Sequence, residues 1–237
     1  ALALDPRNPL SLYLKGVHFT LTGSFVEAEN EYKKLLDGKD ASGSYLGYHG
    51  MANLEIVLGR LNESRKYLNG LIELSRKTGE HWIESQARSI LALRLLESGR
   101  PQEALRECDR ALDAGTSAKR HDLQRLALHY KGLAYVALRS FARAQQTAEQ
   151  LKELIEKGGH AKEIRRYHHL MGMIELERKN YSKAVENLEQ ALSLLPYQSS
   201  SGNKAHMRNS QALFINSSAL AYYRSGDLEK AVENGLF

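Results

Sequence analysis

Small residues return along this chain at a nearly fixed interval: Gly16, Ala52, Ala92, Gly132, Gly172 and Ala219. The gaps between them are 36, 40, 40, 40 and 47 residues. A repeat of that length is one supersecondary unit, too small to bury its own apolar face, so it must stack on its neighbours. The clearest copy is the stretch from His168 to Pro196, HHLMGMIELERKNYSKAVENLEQALSLLP. Leu170, Met171 and Ile174 on one side of Lys179-Asn180, and Val185, Leu188 and Leu192 on the other, fall at helical spacing. The pattern predicts two helices joined by a tight turn, nested where a small side chain lets the backbones approach.

Gly172, Tyr181, Ala184, Ala191 and Pro196 stand where the tetratricopeptide repeat carries its small, aromatic, small, small and helix-ending residues. The stretch resembles that family. The resemblance implies an all-α, right-handed superhelical solenoid of antiparallel helix pairs. Residues 1–8 (ALALDP echoes ALSLLP at 191–196) read as the tail of a preceding repeat, so the chain is expected to be cut from a longer array. About six repeats follow, at roughly 9–43, 44–79, 80–117, 118–158, 159–197 and 204–237, the last stopping at Phe237 partway through its second helix. Gly23, Gly59, Gly99 and Gly226 are expected turns within units, and Pro101 fits the first position of a helix, where its missing N–H costs nothing. The residues in excess of the plain repeat are expected between units, at Ala114–Arg120 and Gly158–Lys162, partly absorbed by a long first helix over Lys119–Leu138. Tyr197–Asn203, YQSSSGN, reads as an exposed insert.

Composition narrows the function classes. A hydrophobic fraction of 42% with 26% charged residues belongs to a folded chain rather than a disordered one. No apolar run reaches the roughly 18 residues of a membrane span, and the N-terminus lacks the pattern of a signal peptide. One cysteine, Cys108, excludes an internal disulfide framework and leaves the compartment open, with a lean toward a reducing one, so a cytoplasmic setting is the expectation; on the second-helix face it reads as a small core hydrophobe. The formal charge of +5 sits in the second half: residues 119–237 hold 18 Lys and Arg against 12 Asp and Glu. Lys119, Arg120, Arg125 and Lys131, with Lys162, Arg165 and Arg166 one unit later, form a basic cluster. Asp122 and Glu163 interrupt it and no aromatic residues are interleaved, so nucleic acid is not the expected partner. No nucleophile–base set or phosphate loop is present, and neither an enzymatic activity nor a cofactor is expected.

In the family the first helices line the concave side. The resemblance therefore implies a partner-binding groove built from the residues three before and one after each small residue. These are Tyr13 and Val17, His49 and Asn53, Ser89 and Leu93, His129 and Leu133, His169 and Met173, and Asn216 and Leu220. Such a groove suits an amphipathic helix or extended segment of a protein or peptide partner. Packing of several of these side chains between neighbouring first helices is the competing reading. The lysine and asparagine pattern with which some members grip a C-terminal carboxylate fails here, because Tyr13, Val17 and His49 occupy its places. His129 and His169 are expected about 10 Å apart, one helix spacing, too far to share zinc with bonds of about 2 Å. Two functions follow from the array: a protein-binding scaffold, or a sensor module of a bacterial signalling protein. Self-association through the last repeat is a further expectation.

Overall fold

The computed structural model describes residues 8–38, 41–195 and 204–234, with the side chains of 204–210 left aside. The tail at 1–7, Pro196, the Tyr197–Asn203 insert and Phe237 lie outside the described residues. Twelve α-helices and one short 3-10 turn, and no strand, occur among those described. In chain order they are α1 Pro9–Thr22, α2 Phe25–Asp37, α3 Ala41–Val57, α4 Leu61–Thr78, α5 His81–Glu97 and α6 Pro101–Ser117. Then follow α7 His121–Ala137, α8 Phe141–Gly158, the 3-10 turn Ala161–Ile164, α9 Arg165–Glu177, α10 Tyr181–Ser193, α11 Lys204–Ser225 and α12 Leu228–Glu233. Each helix packs on the next, and first helices also pack on one another, α1 on α3, α5 on α7, α7 on α9 and α9 on α11. The result is a right-handed superhelix of helix pairs.

What nests the pairs is the row of small residues. Ala52, Ala92 and Ala219 are at most 2% exposed. A Cβ on Gly172 would stand 2.6 Å from Leu188 Cγ and 3.3 Å from the Ala184 carbonyl oxygen, so α9 and α10 meet too closely for any side chain there. The second helices answer with their own small residues: Ala104, Ala111, Ala144, Ala184 and Ala191 are all fully buried. Leu68, Leu151, Leu170, Ile174, Leu176 and Leu188 fill the space around them, each worth about 1.5–3 kcal/mol when buried. Cys108 is fully buried in the same layer, where desolvation pushes its thiol pKa up.

The turns are stricter than the sequence suggested. A residue with left-handed backbone stands at 59, 79, 99, 119, 139, 159 and 179, one every 20 residues. Each ends a helix. At Gly99, the N–H bonds back to Leu96 O (3.0 Å) and that of Arg100 to Leu95 O (2.8 Å), a pair that occupies carbonyls the helix end would leave orphaned. Arg139–Ser140 and Lys179–Asn180 repeat the pattern without glycine, at φ of 55° and 65°. The central repeat is thus two arms of equal length. That corrects the expectation for the extra residues: α6 runs on to Ser117 and α8 to Gly158, and α7 begins at His121 rather than Lys119. Second helices absorb the surplus as much as first helices do, α4, α6 and α8 having 17 or 18 residues against 13 in α10.

Candidate functional site

The residues three before each small residue do form a row, but they face one another. Tyr13 OH lies 3.0 Å from His49 Nδ1, and Asn53 Nδ2 lies 3.2 Å from the same nitrogen. Ser89 is fully buried and donates to Ser85 O at 2.9 Å. His129 and His169, both fully buried, touch: Nε2 of the first is 2.9 Å from Nδ1 of the second. Nε2 of His169 is in turn 2.9 Å from Ser217 Oγ, whose hydroxyl donates to Leu213 O at 2.8 Å. With that hydroxyl proton committed, Ser217 accepts from His169, which leaves His169 Nδ1 to accept from His129. Three first helices, α7, α9 and α11, are joined by this chain of neutral groups. Burial holds both imidazoles neutral; the His169 pKa falls to about 3, and that of His129 is lowered well below its ordinary value by burial first, then by its His169 neighbour and the charges of Arg166 and Arg165.

The expected 10 Å separation of His129 and His169 is therefore wrong. Helix axes stand about 8–10 Å apart, but two imidazoles at matching heights project into that gap and close it. Ser89, His129 and His169 present nothing to a partner. Leu133 (9% exposed) belongs to the central core, and Leu93 (8%) is nearly covered, though it borders the open space described next. Val17 and Met173 are half-buried, Leu220 likewise, and Asn216 is exposed.

Open space on the first-helix side lies elsewhere. A pocket of about 430 Å³ is enclosed by α3, α5, α7 and the segment leading into α9. Trp82, Gln86, Ile90 and Leu93 of α5 and Leu123, Leu126 and Tyr130 of α7 form its walls, and Asn53 and Ile56 of α3 close one end. Trp82 is held edge-on to Tyr45, ring centres 5.0 Å apart, and donates through Nε1 to the Glu80 carboxylate at 2.6 Å. Tyr45 OH donates to Gln86 Oε1 at 3.1 Å. A second, smaller recess of about 330 Å³ lies between Leu93, Arg94 and Glu97 of α5 and Leu213, Asn216 and Leu220 of α11. Of the expected groove residues, Asn53 and Leu93 border the first space and Leu93, Asn216 and Leu220 the second. Trp82, Gln86, Ile90, Arg94, Leu126 and Tyr130 were not anticipated. Their signal is a helical stripe, Trp82, Gln86, Ile90 and Leu93, starting a turn before the plain repeat begins.

The basic cluster is largely neutralised. Arg120 binds Asp122 through two hydrogen bonds of 2.8 and 2.6 Å, Lys131 pairs with Asp109 at 2.7 Å, and Glu163 serves both Arg165 and Arg166. Burial alone would raise the Glu163 pKa, but the charges of Arg166 and Arg165 hold it below its ordinary value.

Residues 166–196 match the family model for the tetratricopeptide repeat. Helix pairs of the same kind stand before and after that stretch. Residues 166–196 are a tetratricopeptide repeat, and the fold is a tetratricopeptide-repeat-like superhelical array. No curated protein matches it in sequence. Among solved structures it is similar to the apo form of RapI (TM-score 0.65, 15% identity, covering 95% of this chain and 94% of that one). It is also similar to aspartyl phosphate phosphatase F from Bacillus subtilis (0.66, 16%, 99% and 71%). A third is a signal transduction ATPase with numerous domains from Pyrococcus horikoshii, whose tetratricopeptide repeats are described as a sensor (0.65, 16%, 96% and 34%). This array spans about a third of the length of that ATPase. At such identities the likeness is one of fold. Among the described residues, no helix of this array is long and apolar enough to cross a membrane.

Proposed function

We propose that this array is a non-catalytic binding module, acting in the cytoplasm as part of a larger protein, whose first-helix face takes a protein or peptide segment. The observation that carries the reading is the pocket between α3, α5 and α7. Apolar and aromatic side chains from Trp82, Ile90, Leu93, Leu123, Leu126 and Tyr130 form its walls, with Gln86, Asn53 and a set of charged groups around them. Anchors enter such a space with a gain of about 25 cal/mol for each Å² of apolar surface removed from water, while the polar groups set register.

A degenerate library of seven-residue peptides, acetylated and amidated, passed over the immobilised full chain and read by mass spectrometry, tests this. Retained peptides are expected to carry large apolar residues at two or more positions, and Ile90→Gln together with Leu126→Gln should release them while the helical circular dichroism is kept. Retention unchanged in that double variant would move the binding surface elsewhere. Leu133, by contrast, is a poor probe, because it is part of the core.

A second reading is favoured by the Pyrococcus horikoshii relative, whose repeats are called a sensor. The same pocket, at about 430 Å³, falls in the range of small-effector sites, about 300–1,000 Å³. Under this reading the array reports occupancy to a neighbouring output domain of a signalling protein by a change of curvature.

A further inference from the structure

The pocket holds more positive charge than its own carboxylates neutralise. Arg94, Arg120, Arg125 and Arg166 border it, against Asp122 and Glu163. Asp122 is committed to Arg120, and Glu163 is shared between Arg165 and Arg166. Arg94 reaches away to Glu97 at 2.7 Å, and its Nε has no hydrogen-bond partner. Arg125 is the singular case. It is 3% exposed, and neither its Nε nor its Nη1 has a partner.

A guanidinium does not give up its proton in a protein, so this charge is present whatever the pH. Burying it unpaired is strongly unfavourable, and such groups are normally matched by an anion or a full set of acceptors. The fold offers only a partial answer. Nη1 lies beside Gly158, the last residue of α8, where a Cβ would approach it to 3.2 Å. The negative end of that helix supplies about half a charge, without a hydrogen bond to either orphaned nitrogen. Gly158 leaves the guanidinium its room. The missing half is an acceptor, and the open space that Arg125 borders is the pocket, whose lining also includes Trp82, Ile90 and Leu123.

We propose that the pocket binds a carboxylate carried on an apolar group, its oxygens accepting from Arg125 with Arg94 as second donor. Charge-assisted bonds of that kind are about twice as strong as neutral ones, and the apolar walls select against fully hydrated anions. The carboxylate belongs to an acidic side chain or C-terminus of a bound peptide, or to a small organic acid. The inference deepens the reading of this face as the binding surface and rests on it.

Phenylacetate serves as the probe, titrated into the full chain labelled with nitrogen-15 and followed by NMR through the arginine Nε–H signals and the amides of α5 and α7, at constant ionic strength. A saturable shift is expected, absent with the neutral amide phenylacetamide, and weakened about tenfold or more in R125Q, the loss of about one charged partner. Should R125Q not fold by circular dichroism, R94Q, on a half-buried residue, is expected to weaken binding by a smaller factor. Equal shifts with phenylacetamide, unchanged affinity in both variants, or inorganic phosphate binding as tightly as phenylacetate would each overturn the proposal. The peptide library separates the sources: enrichment of Asp or Glu beside apolar residues assigns the carboxylate to a side chain, and enrichment only when free C-termini replace the amides assigns it to the terminus. Peptides retained without any acidic preference, with no phenylacetate binding, would leave the groove reading standing and remove this one. Phenylacetate binding with no peptide retained would do the reverse, pointing to an organic acid.

Discussion

His129 and His169 are the residues on which sequence and structure part most sharply. Both sit three before a small residue, where the family places groove-lining groups, and an imidazole is equally at home in water or buried with one hydrogen bond to give and one to accept. Nothing in the sequence fixes the height of one ring against the other. Their burial has a pH consequence. The folded-state pKa of His169, about 3, lies below its ordinary 6.5, so between those values the unfolded chain binds the proton and the folded chain does not. The contribution is present in full above pH 6.5 and is lost as pH falls below it. At about 1.4 kcal/mol for each pH unit, roughly 2 kcal/mol is forfeited by about pH 5. Urea unfolding should show a lower midpoint at about pH 5 than at about pH 7.5, and His169→Gln should flatten that difference. An equal pH dependence in the variant would mean that His169 is protonated in the fold.

At the scale of the element, the turns decide the architecture. Seven left-handed residues placed 20 apart give α4 to α8 lengths of 17 or 18 residues, and equal arms stack without offset. The sequence revealed those that are glycine inside a unit, Gly59 and Gly99, and the break at Lys179; it hid Lys119 and Arg139, because a long polar side chain gives no hint of φ near 55°. Their backbone conformation costs roughly 1 kcal/mol that glycine would avoid. Arg139→Gly and Lys179→Gly should therefore each raise stability by up to about 1 kcal/mol in chemical denaturation. A loss of stability in either would mean that the Arg139 or Lys179 side chain contributes more than the turn costs. The spacing of small residues, by contrast, was fully legible, because alanine or glycine at a fixed interval has one physical use, close approach of helices.

For the whole molecule, the sequence made the solenoid readable and left its inner surface only half so. The lengthening of α3, α5 and α7 moves the open stripe back by one turn. Groups three before each small residue thereby become glue between first helices, and Trp82, Ile90, Leu126 and Tyr130 become walls. Arg125 was seen as one member of a basic cluster; that it alone lacks a partner on both Nε and Nη1 within that cluster depends on Glu163 and Asp122 choosing other arginines, which only the packed structure decides. Occupancy of that inner face is the central claim, and hydrogen exchange of the full chain with and without the peptides it retains tests it most directly. Added protection should fall on Trp82–Arg94 of α5 and Leu123–Tyr130 of α7. Protection confined to α4, α6 and α8, on the opposite side of the array, would contradict the account.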